Sequence, residues 1–398
     1  MTQLMTSLEA APADPLLGLM LAARQDTRAD KLDLGVGIYK DPEGNTPVMK
    51  AVLQAEEALV QEQTTKAYEG PRGNPVFNEH IEELLLGGRD ERRVVFASPG
   101  GSGALFVALR TIKVMAPDAR IWISKPCWPN HIAMAERLGF ETLFYTYKST
   151  PEGAADLALV KADLDAAKPG DVLLLQGACH NPTGTDFTDE AWVRLAELAR
   201  EKGLLPFIDV AYQGFGNGLD EDVVGIRRFL EAVPEAIVTY SCSKNFGLYR
   251  ERVGALVFQA AHADAAERVA SHAAIAVRTS FSMPPAHGPA IVARILGDQA
   301  LRGIWTQELT AMTDRLRTLR VGFTDALAAA TGRNSFQSLA RENGMFAILP
   351  ISKENVEQVR KEHGIYMPSS GRINIAGLKE DRLKEVAEKL GPNLSPAD

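Results

Sequence analysis

The chain has 398 residues, of which 45% are hydrophobic and 24% are charged, a balance typical of globular proteins with more than one domain. Its net charge of −8 and the absence of a polybasic run disfavour nucleic acid or anionic lipid as a partner. Three scattered cysteines (Cys127, Cys179 and Cys242) fit neither a disulfide framework nor a zinc site. No apolar run has the length of a membrane span and no signal-peptide pattern is visible, so we expect a cytoplasmic protein.

Six short apolar runs predict buried β-strands. Amphipathic segments with helical periodicity separate most of them, and one segment opens with Thr188 followed by acidic residues in its first turn. This alternation predicts a mostly parallel sheet covered by helices on both faces. The last two strands are joined by a short loop, which predicts one antiparallel neighbour. The predicted strands are Val94–Ser98, Arg120–Ser124, Asp171–Gln176, Leu204–Val210, Ala236–Ser241 and Val253–Phe258.

The last quarter of the chain has a different pattern. A long helical stretch covers residues 299–330, and the segments GMFAILPI, VEQVRKEHGIYM and GRINIAGL that follow predict a small α/β unit. The spacing of the first 45 or so residues does not decide whether they pack against this unit.

Polar and glycine-rich segments follow the predicted strands, where ligands bind in open α/β sheets. The first strand runs into PGGSGALFVALR, a turn before a helix that suits a phosphate, although most such turns are only turns. The second is followed by Trp128, either a core residue or a stacking surface for a flat ligand. After the third, Asn181 either shapes a turn or points at a ligand.

The fourth and fifth strand ends supply an acid and an amine. Asp209 ends an apolar strand, where a carboxylate is costly to bury unless it is paired, so a helix cap or a salt bridge is the alternative. Ser241 and Lys244 end the next strand, with Arg252 shortly after. A buried lysine with a lowered pKa is a good imine-forming amine. Together the five strand ends predict pyridoxal phosphate as the cofactor.

The motifs also resemble a known family. SCSKNFGLYRERVG, HNPTG, DVAYQGFG and GRINIAGL closely resemble the class I (fold type I) aminotransferases, and the aspartate and aromatic-amino-acid branch is the nearest. The match extends from residue 33 to residue 378, with the motifs in the family's order. The resemblance implies an α/β fold with a large cofactor-binding domain over residues 46–307, built on a mostly parallel mixed sheet flanked by helices. Residues 1–45 and 308–398 would form a smaller discontinuous domain that closes over the substrate.

The resemblance implies a role for each matching residue at the cofactor. Lys244 carries the cofactor covalently and moves the proton between the substrate and the cofactor. Asp209 pairs with the pyridinium nitrogen, while Tyr212 and Asn181 bond the ring oxygen. Trp128 stacks on the ring, and Trp128 and Asn181 also contact the substrate. The phosphate-binding residues implied in this way are Gly101, Ser102, Ser241 and Arg252.

The resemblance also implies how the substrate is bound. Arg372 binds the α-carboxylate in a bidentate fork, with the backbone of Gly37 beside it. Arg278 binds the distal carboxylate of a dicarboxylic substrate. In this family Arg278 and the phosphate-contacting Tyr68 come from the other subunit, so a homodimer with shared active sites is expected.

Two positions depart from the family pattern. Gln176 stands where the family usually has a histidine, so its packing beneath the cofactor is expected to differ. Met283 stands where the aspartate-specific enzymes usually have asparagine. An apolar residue there removes a polar partner for Arg278, which favours dual specificity for dicarboxylic and aromatic substrates. The alternative is that Met283 only repacks a wall.

We therefore predict an aminotransferase that transfers an amino group from aspartate, an aromatic amino acid or both to 2-oxoglutarate by a ping-pong mechanism. Another reaction of the same fold type, such as a β-lyase or a decarboxylase, retains the lysine, the acid and the phosphate site. A cofactor-binding protein without turnover is a third reading, which the presence of Lys244, Arg278 and Arg372 disfavours.

Overall fold

The computed structural model describes residues 5–12 and 14–395; residues 1–4, 13 and 396–398, which fall in the predicted smaller domain, lie outside the described residues. The strands are β1 (Leu32–Asp33), β2 (Arg93–Pro99), β3 (Arg120–Lys125), β4 (Glu141–Thr146), β5 (Val172–Gln176), β6 (Leu205–Val210), β7 (Ala236–Ser241), β8 (Val253–Gln259), β9 (Phe346–Ile348), β10 (Ile365–Tyr366) and β11 (Arg372–Asn374). The α-helices are α1 (Pro15–Gln25), α2 (Lys50–Glu62), α3 (Pro75–Leu86), α4 (Gly100–Met115), α5 (Pro129–Arg137), α6 (Leu157–Asp163), α7 (Asp189–Lys202), α8 (Val224–Ala232), α9 (Ala263–Arg278), α10 (His287–Gly297), α11 (Gln299–Thr331), α12 (Lys353–His363) and α13 (Leu383–Leu390).

Seven strands form the central sheet, in the order β2-β8-β7-β6-β5-β3-β4. The pairs β3–β4, β3–β5, β5–β6 and β6–β7 are parallel, whereas β8 runs antiparallel to both β7 and β2. The predicted α/β fold with a mostly parallel mixed sheet is confirmed, as are all six predicted strands and the antiparallel neighbour of β7. Strand β4 was not predicted. It lies at the sheet edge and is mostly exposed or half-buried, so the apolar run in its sequence ETLFYT is only three residues long.

The central sheet is buried on both faces. Phe207 and Ile208, neighbours on β6, belong to two different apolar clusters, as do Leu174 and Leu175 on β5. Because successive side chains of a strand point to opposite faces, these clusters lie on the two sides of the sheet. Side chains within the strands are therefore committed to the core, and polar side chains are left with the strand ends.

The helices match their sequence signals. The predicted helix after Thr188 is α7, and the Thr188 hydroxyl accepts a hydrogen bond from the Ala191 N–H at 3.2 Å. The long helical stretch is α11, which begins after Asp298 and ends at Gly332 in the left-handed conformation. Of the helices in residues 5–12 and 14–395, none combines the length and the apolar character needed to cross a membrane.

Two small sheets join the ends of the chain. Strand β1 pairs in parallel with β10, so Leu32 lies opposite Ile365 although 333 residues separate them. Strand β9 pairs antiparallel with β11, with Phe346 opposite Asn374 and Ile348 opposite Arg372. The segment after β1 lies beside β11, because the Asn374 N–H donates to the Leu34 carbonyl at 2.7 Å and the Asn374 side-chain amide donates to the Val36 carbonyl at 2.6 Å.

Candidate active site

The carboxyl ends of the central strands surround a cavity of about 320 Å³. Its lining comes from the segments after β2, β3, β5, β6 and β7, the arrangement expected for ligand binding in an open α/β sheet. Residues from both chain ends complete the wall. The predicted site residues that the structure brings together around the cavity are Gly37, Gly101, Ser102, Trp128, Asn181, Asp209, Tyr212, Ser241, Lys244, Arg252 and Arg372.

One end of the cavity has the features of an anion site. Helix α4 begins at Gly100, so the N–H groups of Gly101 and Ser102 lie in its first turn, at the positive end of the helix dipole. Gly100 has a φ of +70°, and a Cβ there would lie 2.4 Å from Nη2 of Arg252. Ser241 packs against the same turn, with its Cβ 3.1 Å from where a Cβ of Gly101 would stand. Glycine therefore lets the guanidinium and the hydroxyl approach the helix start.

A buried carboxylate lies in the middle of the cavity wall. Asp209, at the end of β6, accepts a hydrogen bond from the Thr239 hydroxyl at 2.8 Å. Its other oxygen lies 2.8 Å from Nε2 of His131, a buried residue of α5. The ring of Trp128 packs edge-on against that histidine at 5.1 Å between centroids. Asp209 is thus paired, as a buried acid must be, and still contributes to the cavity surface.

The Lys244 amine is buried in the same cavity. Its pKa is lowered to about 8, mainly because burial disfavours the charged form; the charge of Asp209 opposes this shift and the charge of Arg252 adds to it. The amine lies 4.7 Å from the centroid of the Tyr212 ring. Burial raises the pKa of the Tyr212 hydroxyl, so the phenol keeps its proton at neutral pH. The site therefore holds an amine that is partly neutral near a phenol that keeps its proton.

Gln176 holds the backbone of Asn181. Its side-chain amide donates to the Asn181 carbonyl at 3.0 Å, and its carbonyl oxygen accepts from the Asn181 N–H at 3.0 Å. Gln176, the residue that departs from the family pattern, therefore fixes both the N–H and the carbonyl of Asn181. A planar amide can do this because it carries a donor and an acceptor together. The Asn181 side chain is left to face the cavity.

Arg372 enters the cavity from β11. Its Nη2 donates to the Gly35 carbonyl at 2.7 Å, and its Nη1 lies 3.4 Å from Oδ1 of Asn181. Its Nε is buried and has no hydrogen-bond partner among the described residues. The guanidinium lies 4.5 Å from the ring centroid of Phe346, and a Cβ on Gly37 would lie 3.0 Å from that ring. A desolvated guanidinium with unused donors is suited to a carboxylate.

Three residues singled out in the sequence are not among those lining the cavity of one chain. Tyr68 follows α2 and is 92% exposed. Arg278 ends α9 on the exposed surface, where its guanidinium donates to the Ser282 hydroxyl. Met283 is half-buried next to this pair. The structure of the single chain therefore does not bring these side chains to Lys244.

Sequence reasoning missed two aromatic residues of the cavity, Tyr249 and Phe346. The Tyr249 hydroxyl accepts a hydrogen bond from the Tyr39 N–H at 2.8 Å and so ties the loop after Lys244 to the N-terminal segment. Phe346 packs edge-on against Tyr212 at 5.9 Å between centroids. An aromatic residue in an apolar run has the signature of a core residue, so only the position of Tyr249 close behind Lys244 offered a signal.

Comparison with known proteins places this geometry in a family. The family model for class I and II aminotransferases matches residues 29–390. A tyrosine aminotransferase from Rhizobium meliloti is 46% identical over 379 residues, covering 95% of this chain and 97% of that protein. An aspartate aminotransferase from Salmonella typhi is 43% identical over 389 residues, covering 96% of this chain and 98% of its own length.

A solved structure agrees with this fold over nearly the whole chain. The crystal structure of an aromatic-amino-acid aminotransferase from Burkholderia pseudomallei, covalently bound to pyridoxal phosphate, has a TM-score of 0.95 at 37% identity. The similarity covers 99% of this chain and 100% of that one. The family predicted from the motifs is confirmed: this chain belongs to the class I and II aminotransferases.

Proposed function

We propose that the protein is a pyridoxal-phosphate-dependent transaminase that transfers an amino group from aspartate, an aromatic amino acid or both to 2-oxoglutarate in two half-reactions. The observation that carries the proposal is the buried Lys244 amine, which shares one cavity with the anion site, the Asp209 carboxylate and the Arg372 guanidinium. Relatives of similar identity are named for aspartate and for tyrosine, which supports both classes of donor.

The anion site fits the phosphate of the cofactor. The N–H groups of Gly101 and Ser102, the hydroxyls of Ser102 and Ser241 and the guanidinium of Arg252 would hold it. A Cβ at Gly100 would fill this cradle, which supports its use for a ligand group. Helix N-termini with a neighbouring arginine are suited to phosphate because the dipole and the guanidinium act on the same charge.

The rest of the cavity fits the ring. Asp209 would pair with the ring nitrogen, and Tyr212 and Asn181 would bond the ring oxygen. Trp128 would stack on the ring. It lies in the cavity wall and packs against His131, the residue that contacts Asp209. The donors and acceptors present therefore match the polar groups of pyridoxal phosphate.

When bound, pyridoxal phosphate supplies an electron sink for the electron pair left on the substrate α-carbon after loss of its proton. The Nζ of Lys244 takes that proton and returns it during the transfer, a task suited to an amine whose pKa is about 8. The Asp209 carboxylate keeps a proton on the ring nitrogen. The protonated Tyr212 phenol donates a hydrogen bond beside the amine.

Arg372 would bind the α-carboxylate common to every amino acid and 2-oxo acid substrate. Nη1 and Nη2 each carry two N–H groups, of which one is directed at Asn181 and one at the Gly35 carbonyl, and Nε has no partner among the described residues, so unused donors remain for a carboxylate. The absence of a side chain at Gly37 lets the backbone approach the same group. Lysine could not replace this planar fork.

We propose that the active enzyme is a homodimer in which Tyr68 and Arg278 of one subunit complete the site of the other. Both are exposed in the single chain. Large apolar side chains are also exposed on the segments before and after Tyr68, which supports a protein interface there. These side chains are Val48, Leu53, Val60 and Val76.

The distal part of the substrate would be read by Arg278 and Met283. An apolar Met283 leaves Arg278 without a polar partner at that position, so the arginine can bind a carboxylate or turn away from an aromatic ring. This freedom supports dual specificity, whereas a Met283 that only repacks a wall would leave the enzyme specific for dicarboxylic substrates.

We further propose a division into two domains and a cytoplasmic location. Residues 46–307 would form the cofactor-binding domain, and residues 1–45 with 308–398 would form the smaller domain that closes over the substrate and expels water. Arg372 and Gly37 of the smaller domain share one cavity with Lys244 of the cofactor-binding domain, which supports such a closure.

A cytoplasmic location is supported by cysteines that are all unpaired.

Gly100→Ala is expected to weaken cofactor binding by about tenfold or more, because the methyl group would displace Arg252 and φ is positive. The measurement is the dissociation constant of pyridoxal phosphate for the cofactor-free protein. Gly303→Ala on α11, where nothing lies within 4 Å of the new methyl group, is the control and should leave that constant unchanged. Equal affinity in the Gly100 variant would contradict the phosphate site.

The Lys244 amine is expected to titrate at about pH 8. Because burial lowers its pKa, the neutral and reactive fraction rises as the pH increases through about 8, not through the ordinary 10.5. Trace labelling of cofactor-free protein with acetic anhydride, followed by mass spectrometry, measures this directly. Labelling of Lys244 that becomes half-maximal only near pH 10.5 would mean that the amine is not desolvated.

Lys244→Ala should lower transamination by a factor on the order of 10⁴ or more, because the group that moves the α-proton is lost. The variant should remain a folded dimer that retains cofactor, as judged by circular dichroism, sedimentation and absorbance. Lys384→Ala, at an exposed position on α13, is the control. Near-normal turnover in the Lys244 variant would refute the assigned role.

Arg278→Ala should lower kcat/KM for aspartate on the order of 100-fold, because a charge-assisted bond to the distal carboxylate is lost. The value of kcat/KM for phenylalanine should change little. Arg268→Ala on the exposed face of α9 is the control. Equal losses on both substrates would mean that Arg278 does not bind the distal carboxylate.

Co-expression of Lys244→Ala chains with Arg278→Ala chains extends this test to the dimer. A hybrid dimer regains one site with both residues intact, so random pairing restores about a quarter of the wild-type aspartate turnover. If the hybrids stay as inactive as the parents, Arg278 does not act across the interface.

A further inference from the structure

A buried arginine outside the cavity contacts the segment that carries one wall of the site. Arg320 lies on α11 and is 3% exposed. Its Nη1 lies 3.0 Å from a carboxylate oxygen of Glu342, which is also buried. Its Nη1 and Nη2 also donate to backbone carbonyls of the segment before and within β9. These acceptors are the carbonyls of Leu339 at 3.2 Å, Asn343 at 3.2 Å, Gly344 at 2.9 Å and Phe346 at 2.8 Å.

The other side of this segment contacts the loop that carries Asn181. The Asn343 N–H donates to the Gly184 carbonyl at 2.7 Å, and its side-chain amide donates to Asp186 at 3.2 Å. A Cβ on Gly184 would lie 2.6 Å from the Phe346 carbonyl oxygen, so the two backbones are in direct contact. Segment 342–346 is therefore held between α11 and the Asn181 loop.

Phe346 connects segment 342–346 to Arg372, the arginine proposed to bind the substrate. Strand β9 pairs with β11, and the Phe346 ring lies 4.5 Å from the Arg372 guanidinium. The same ring packs against Tyr212 and against the backbone at Gly37. A shift of segment 342–346 would therefore move the surface on which Arg372 rests and its spacing from Asn181.

We propose that Arg320 is a positioning residue for carboxylate binding: by fixing the backbone of segment 342–346 it sets the position of Phe346 and, through it, the guanidinium of Arg372. This inference rests on the proposed function of Arg372 as the carboxylate-binding residue. A buried ion pair seldom adds net stability, whereas one guanidinium holding four carbonyls and a carboxylate fixes a geometry. Lysine at this position keeps the charge and cannot reach all of these acceptors.

The test compares Arg320→Lys with wild-type holoenzyme. The probe is 3-phenylpropanoate, a monocarboxylate without an amino or oxo group, whose dissociation constant is measured by calorimetry. The expected result is a dissociation constant raised about tenfold, with kcat at saturating substrate within about threefold and the cofactor absorbance spectrum unchanged. Arg302→Lys on the same helix, which faces a separate cleft, is the control and should bind the probe normally.

Asn343→Ala keeps the test decisive if the Arg320 variant does not fold. It removes the bond to Asp186 without removing a charge, and it should raise the dissociation constant by about threefold with kcat preserved. A folded Arg320→Lys enzyme that binds the probe within twofold of wild type would overturn the proposal. A loss of kcat in step with weaker binding and lower thermal stability would do the same, since it would indicate a general structural role.

Arg372→Lys separates this inference from the proposed function. If Arg372→Lys strongly weakens binding of the probe and Arg320→Lys does not, only the positioning role of Arg320 is wrong. If it leaves probe binding unchanged, the carboxylate site itself is wrong, and the inference falls with it.

Discussion

The structure depends on one constraint. In a mostly parallel sheet that is covered on both faces, the functional polar side chains lie at the ends of the strands. Neighbouring residues such as Phe207 and Ile208 are each committed to an apolar cluster on opposite sides. Asp209 and Lys244 therefore appear where β6 and β7 end. Because the parallel strands end at the same edge, groups far apart in the chain meet in one cavity.

Two charged groups of this cavity are tolerated for different physical reasons. Asp209 is satisfied by Thr239 and His131, while the Lys244 pKa falls because its charged form is desolvated. Farther out, Arg320 and Glu342 form a buried pair beneath the wall of the cavity. The cost of burying charge thus explains both the lowered pKa of Lys244 and the pairing of Arg320 with Glu342.

The sequence predicted six of the seven central strands, the start of α7 and most of the cavity-lining residues because these depend on local patterns. Continuous apolar runs identify buried strands, and glycine, acid or lysine at a strand end identifies a cavity residue. Edge strand β4 has too short a run and was missed. Phe346 was missed because an aromatic residue facing a ligand and one facing the core have the same local sequence. The roles implied by family resemblance came from ordered motifs, which no single residue carries.

The sequence by itself determined which chemical groups stand at the strand ends and, through its motifs, the family to which the chain belongs. Only the tertiary structure decided how distant segments meet: Gly35 accepts from Arg372 across 337 residues, and Arg320 holds the backbone before β9. It also decided that Tyr68 and Arg278 lie on the surface of a single chain. The physical reason is that local patterns encode burial and turns, whereas contacts across hundreds of residues follow from packing and pairing after the chain has folded.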